Sequence, residues 1–178
     1  MDKYKIIYAD PPWKYKDIGT INGLCTNHYG VMKLNDIKKL PVCDMADDNA
    51  ALFLWVPPPK LDEALEVIKA WGFIYKTVGF TWIKQNKKSD GFFMGLGFYT
   101  RSNAEFCLLA TKGRGVERKS KSVRQLVISR LREHSRKPDE VRDRIVELFG
   151  DIPRIELFAR TKTPGWDVWG NETNKFIN

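Results

Sequence analysis

An aspartate, two prolines and a tryptophan stand in a row at Asp10-Pro11-Pro12-Trp13, directly after the apolar run Ile6-Ile7-Tyr8-Ala9. Each proline fixes its own φ and pushes the residue before it toward extended backbone. The Asp10 carboxylate, the carbonyls beside it and the Trp13 ring therefore have little conformational freedom left to lose. Such a cluster suits accepting hydrogen bonds from an amino group on a flat ring, with the indole as an aromatic plate. An Asp-Pro turn with a core tryptophan is the plainer alternative, because such turns are common. The place of the tetrapeptide at the carboxyl end of a strand favours chemistry, since open α/β sheets bind ligands there.

A second group of candidates is electrostatic. Thirty Lys plus Arg against 22 Asp plus Glu leave a net charge of +8 over 178 residues. The excess is concentrated: ten basic residues lie between Lys112 and Lys137, opposed only by Glu117 and Glu133. A solvated basic face is the ordinary explanation of such a run. Here it is interrupted by Gly113 and Gly115 and lacks helical apolar periodicity, so it reads as a mobile loop reaching for phosphates. Lys112, Arg114, Arg118, Lys119, Lys121 and Arg124 are the candidate polyanion contacts. Cys25, Cys43 and Cys107 are odd in number and widely spaced, which argues against a disulfide framework and for an intracellular protein. His28 and His134 without a CxxC pair form no recognisable metal site, and none is expected. No apolar run approaches a membrane span, and the N-terminus lacks a signal-peptide pattern.

The elements that must position these residues alternate between strand and helix. Apolar runs predict strands at 5–9, 50–56, 77–84, 104–111, 126–129 and 154–159, largely apolar as strands covered on both faces should be. Leu61, Ala64, Leu65, Ile68 and Trp71 fall at helical spacing and stop at Gly72. Pro138, Asp139 and Glu140 open a second helix that Gly150 ends, and a shorter one is expected at 34–40. This alternation predicts an α/β fold with a mostly parallel sheet and helices on both faces, in one domain covering 1–178. Residues 14–32, 85–101 and 112–124 resist assignment, and long loops in a compact domain usually carry function or are disordered.

Over nearly its whole length the chain resembles the MT-A70 family of S-adenosylmethionine-dependent adenine-N6 methyltransferases. Ala9-Asp10-Pro11-Pro12-Trp13 is followed by His28-Tyr29-Gly30-Val31-Met32, Leu52-Phe53-Leu54-Trp55-Val56, Trp71-Gly72-Phe73 and Trp82-Ile83-Lys84. Then come Glu105-Phe106-Cys107-Leu108 with Lys112-Gly113, Ser135-Arg136-Lys137-Pro138, Ile155-Glu156-Leu157-Phe158-Ala159-Arg160, Gly165-Trp166 and Gly170-Asn171-Glu172. Each block is weak alone; their order over the chain carries the resemblance. It implies a Rossmann-like methyltransferase fold, methyl transfer from S-adenosylmethionine to adenine N6, and nucleic acid as partner, DNA ahead of RNA. A homodimer is left open. The size resembles the bare cores of bacterial and phage members, hence a cytoplasmic setting.

The resemblance also distributes roles. Asp10 and the Pro11 carbonyl would accept the N6 hydrogens, with Pro12 and Trp13 completing the catalytic motif. Trp13 or Tyr29 would stack on the base, an interaction worth about 1–3 kcal/mol. Ser135 and Lys137 would hold the methionine carboxylate, and Asp10 would stand near the donor's amino group. Phe158, Arg160, Asn171 and Glu172 would line the adenosine pocket, while Trp166 and Trp169 are expected in the core. The chain departs from the family where Lys162 and Thr163 follow Arg160, which puts the ribose contacts in question. A nucleic-acid-binding partner without activity is the competing reading, and the intact acidic motif argues against it.

Overall fold

The computed structural model describes residues 3–14, 31–133 and 136–170. Within them seven strands form one sheet: β1 (Tyr4–Ala9), β2 (Ala46–Val56), β3 (Ile74–Gln85), β4 (Glu105–Lys112), β5 (Leu126–Arg130), β6 (Arg154–Leu157) and β7 (Asp167–Trp169). Their order is β5-β3-β4-β2-β1-β6-β7. The pairs β1–β2, β1–β6, β6–β7 and β3–β5 are parallel, whereas β4 is antiparallel to both β2 and β3. Six strands thus run one way and β4 runs against them. The cause is local: no helix lies between β3 and β4, so the chain turns back without the crossover that a parallel pair requires.

Period-two alternation divides the core between the two faces of the sheet. On β1, Ile7 and Ala9 point to the side covered by α1 (Leu34–Lys38), α2 (Val42–Met45) and α3 (Leu61–Ala70), where Ile37, Val42, Val67, Ile68 and Trp71 pack. Ile6 and Tyr8 point to the other side, against Val141, Ile145 and Phe149 of α4 (Glu140–Phe149). The mostly parallel sheet with helices on both faces is the expected architecture. It differs from expectation at its margins. The strand expected at 77–84 begins at Ile74, and its first four residues are exposed rather than covered. The three-residue β7 and the four-residue α2 are too short to show a periodicity in sequence.

The parallel strands bring the carboxyl ends of β1, β2, β3, β5 and β6 to one edge, and β4 starts there. Asp10 follows β1 at that edge, Lys84 lies near the end of β3, and Glu105 opens β4.

Candidate active site

Four charged side chains meet at this edge. The Lys137 ammonium lies 3.1 Å from Asp10 Oδ2 and 3.1 Å from Glu105 Oε2. The Lys84 ammonium donates to Glu105 Oε1 at 2.6 Å. The result is an alternating chain, Lys84–Glu105–Lys137–Asp10, in which Lys137 is only 9% exposed and Glu105 13%. Burial alone would lower the Lys137 pKa, but the carboxylates of Asp10 and Glu105 outweigh it and hold the ammonium well above the lysine range. Burial would raise Glu105, yet Lys137 and Lys84 bring it below its ordinary value. Both cations also rest on indole faces, Lys137 over Trp55 at 5.7 Å and Lys84 over Trp82 at 5.2 Å.

The acidic motif is built by hydrogen bonds that reach back into the sheet. Trp13 Nε1 donates to the Trp55 carbonyl at 2.9 Å, and the Trp13 amide donates to the Pro11 carbonyl at 2.9 Å. The Met32 amide donates to the Pro12 carbonyl at 3.1 Å. The Trp13 ring is 6% exposed and belongs to the core packed against α3. The indole bond anchors the turn, and the Trp13 ring leaves little of its face exposed for stacking. Asp10, in contrast, remains partly open, its side chain 22% exposed.

A narrow cleft runs from this motif over the ends of β1 and β6. Tyr8, Asp10, Arg136, Lys137, Arg142, Glu156, Phe158, Arg160 and Thr161 line it. Its floor is a buried pair: Arg142 Nε and Nη2 donate to the two oxygens of Glu156 at 2.7 and 2.6 Å. Above the Tyr8 ring, the Arg142 guanidinium stands 5.5 Å away, and Trp55 Nε1 donates to the Tyr8 hydroxyl at 2.7 Å. Phe158 adopts a left-handed backbone (φ 60°) and meets Trp169 edge-on with ring centroids 5.5 Å apart. Trp169 is 42% exposed, so the expectation that it is core fails, because it sits on the three-residue edge strand β7; Trp166, at 8%, is core as expected. The cleft thus gathers a carboxylate, an ammonium, guanidinium groups and the Tyr8 and Phe158 rings in one narrow space.

Of the residues expected in the site, Asp10, Lys137, Phe158 and Arg160 come together here. Tyr29, His28, Ser135, Asn171 and Glu172 lie outside the described residues. The basic stretch does not join them. Lys112 ends β4 opposite Ala50, whereas Ala9 pairs with Leu54, so the stretch leaves from the other edge of the sheet. Nor is it an unanchored arm. Lys112 donates to the carbonyls of Cys43 and Ala46, Ser120 and Ser122 share the Glu147 carboxylate, and Val116 and Val123 pack beside the α4 core. Arg114, Arg118, Lys119, Lys121 and Arg124 remain exposed along it. Sequence reasoning assigned no role to Glu105, Lys84, Glu156 or Arg142. Lys84, Glu105 and Glu156 stand within the motif blocks read from the sequence, and each of the four is a charge beside apolar residues of a strand or helix.

The MT-A70 family model matches residues 4–172. The chain is 36% identical to the Type II methyltransferase M.MunI of Mycoplasma sp, covering 96% of this chain and 78% of that protein. It is 28% identical to the N(6)-adenosine-methyltransferase MT-A70-like protein of Drosophila melanogaster, over 97% of this chain and 27% of the relative. With the N(6)-adenosine-methyltransferase MT-A70-like of Arabidopsis thaliana the identity is 29%, over 96% and 24%. The chain thus spans most of the bacterial relative and about a quarter of the eukaryotic ones. Among the described residues no helix is long and apolar enough to cross a membrane.

Proposed function

The chain belongs to the MT-A70 family of methyltransferases, and from that footing we propose that it methylates adenine N6 in DNA with S-adenosylmethionine as donor. The observation that carries the reading is the ion pair between Lys137 and Asp10 inside the cleft. It holds one oxygen of the carboxylate and aims the group from a strand end that two prolines keep rigid.

The N6 lone pair of adenine is delocalised into the ring, which makes the amine a poor nucleophile. Asp10 accepts an N6 hydrogen and draws the nitrogen toward tetrahedral geometry, so that the lone pair is released. The Pro11 carbonyl, already taking the Trp13 amide, offers its second lone pair to the other hydrogen. When bound, the donor supplies a methyl group that its sulfonium makes electrophilic; as the bond to N6 forms the carbon–sulfur bond breaks, the neutral thioether leaves, and the N6 proton would pass from its hydrogen bond with Asp10 to solvent. Orientation and preorganised charge then account for most of the acceleration. The donor carboxylate would share the Lys137 ammonium with Asp10 and Glu105, Phe158 and Arg160 would meet its adenosine, and Ser135, Asn171 and Glu172 would complete the pocket. A base within a duplex cannot reach this cleft, so the target is flipped or single-stranded.

DNA is preferred because a relative that this chain covers to 78% of its length is a type II methyltransferase. The second reading is RNA, favoured by relatives whose names specify adenosine. Mass spectrometry of nucleosides from DNA and from RNA, each incubated with the protein and methyl-labelled donor, decides. Labelled N6-methyldeoxyadenosine is the expected product, and label confined to RNA reverses the assignment. The exposed basic stretch would bind flanking phosphates, and a homodimer remains part of the proposal.

A further inference from the structure

Five large apolar side chains, Phe92, Met94, Leu96, Phe98 and Tyr99, are exposed within eight residues on the connection between β3 and β4. Leu96 is 85% exposed and Tyr99 fully so. The loop is nevertheless built. Arg101 donates to the carbonyls of Gly95 at 2.7 Å and Met94 at 3.1 Å, and Ser102 Oγ donates to Leu96 at 2.5 Å. Asn103 holds the Phe93 carbonyl, while Arg130 reaches the carbonyls of Asn86 and Ser89. Polar side chains grip the backbone and apolar ones face water, the reverse of an ordinary surface loop. A Cβ at Gly97 would collide with the Thr100 carbonyl, and Tyr99 takes a left-handed φ of 64°. For a bulky residue that conformation is rare, and such outliers gather at functional sites.

The loop leaves the sheet at the edge that carries Asp10, three strands across from it. The Asn103 amide brackets Lys84, accepting from its N–H and donating to its carbonyl, both at 2.9 Å. From the Lys84 ammonium, three successive ion pairs lead through Glu105 and Lys137 to Asp10. Exposed Lys87, Lys88 and Arg101 flank the apolar residues, with Asp90 the one acid between Asn86 and Asn103. Apolar side chains ringed by cations complement stacked bases ringed by phosphates; two copies of this patch would instead face like charges to each other. We propose that residues 92–99 form a wedge that enters the base stack beside the target adenine and keeps the duplex open while the base lies at Asp10. Apolar side chains inserted between base steps unstack and kink a duplex in this way. The inference rests on the reading of the substrate as duplex DNA.

The test combines Leu96→Ala, Phe98→Ala and Tyr99→Ala, all at exposed positions. Plasmid DNA free of adenine methylation is offered as native duplex and after heat denaturation, with labelled donor. The expected result is a roughly ten- to hundredfold fall in kcat/KM on the duplex, with activity on the denatured form and donor affinity unchanged. Thymines opposite the methylated adenines should react with permanganate in the wild-type complex and cease to do so in the variant. Where the wild type labels only duplex, the permanganate result decides. Equal losses on both forms, an unchanged duplex rate, or a wild-type complex without reactive thymines overturns the wedge. So does a wild type that labels only denatured DNA. Loss of self-association in sedimentation velocity, with equal losses on both forms, assigns the patch to a second copy instead. A wild type that labels neither form but labels RNA fails at the substrate reading itself, and the wedge falls with it.

Discussion

Asp10 neutralises a buried lysine, and in the proposed reaction it would also meet the amine that reacts. Asp10→Ala should lower methyl transfer by two to four orders of magnitude, about 3–5 kcal/mol, as for other groups that act only in the transition state. Near-wild-type turnover, measured on a substrate identified by nucleoside mass spectrometry, would sink the assignment. Glu105 plays the supporting part, and its pH dependence exposes it. Its folded pKa lies below the ordinary 4.5, so the stability it adds is complete above that value and is lost as pH falls through the lowered one. Lys137 is shifted the opposite way, so its share is complete below the ordinary 10.5 and is lost only in strong alkali. Glu105→Gln should therefore destabilise the protein most near neutrality, by about 1.5–3 kcal/mol, because Lys137 and Lys84 lose a charged partner while Asp10 still holds Lys137. Urea unfolding at stepped pH checks this. The gap between wild type and variant should close as the solution is acidified below 4.5. A gap that stays constant through that range would show that the carboxylate is not the source.

Between elements, the Arg142–Glu156 pair ties α4 to β6 beneath the cleft. Burial raises the Glu156 pKa and the Arg142 guanidinium opposes the rise. Arg142→Met leaves that carboxylate buried and unpaired, a loss of about 3–5 kcal/mol, whereas the double change with Glu156→Leu should regain most of it. Thermal unfolding of the two variants distinguishes them; equal destabilisation would mean that the pair itself, and not the orphaned charge, holds the helix. The principal strands and the two longer helices were legible because each carries its own periodicity, as in Ile6-Ile7-Tyr8-Ala9 or Ala64, Ile68 and Trp71. The reversal of β4 was not legible, since it depends on the lack of a helix between β3 and β4 and not on any residue within β4. Asp10 and Lys137 could be read from their motifs, but Glu105 and Lys84 gain meaning only through partners 32 and 21 residues away, where Lys137 bonds Glu105 and Glu105 bonds Lys84. A core tryptophan was already open as the plainer reading of the motif, but its partner, the Trp55 carbonyl on another strand, was not legible.

At the scale of the whole molecule, with a net charge of +8, the candidate site and the exposed basic stretch stand at two edges of one sheet. The candidate site sits at the edge where β1 ends, and the exposed basic stretch hangs from the other, because β4 runs backwards and carries it there. Four residue steps along β2, from Leu54 opposite Ala9 to Ala50 opposite Lys112, separate the two levels, about 13 Å at a rise of about 3.3 Å per residue. At that distance the stretch touches no reacting atom, but a bound duplex can still lay flanking phosphates on it. Neutralising Arg114, Arg118 and Lys121 together, all exposed, should weaken binding to every sequence alike. Each lost phosphate contact lowers the log–log salt slope by roughly 0.7–0.9. Lys119 is left in place because its side chain packs over Gly150 at the end of α4, where a cation also favours the helix terminus. The rate of methyl transfer at saturating DNA and the donor affinity should both hold. Fluorescence-anisotropy titrations across a salt series provide the measurement. A triple variant with the wild-type slope would make the stretch a solvated face and leave the whole grip on nucleic acid to the edge that carries Asp10, Lys87, Lys88 and Arg101.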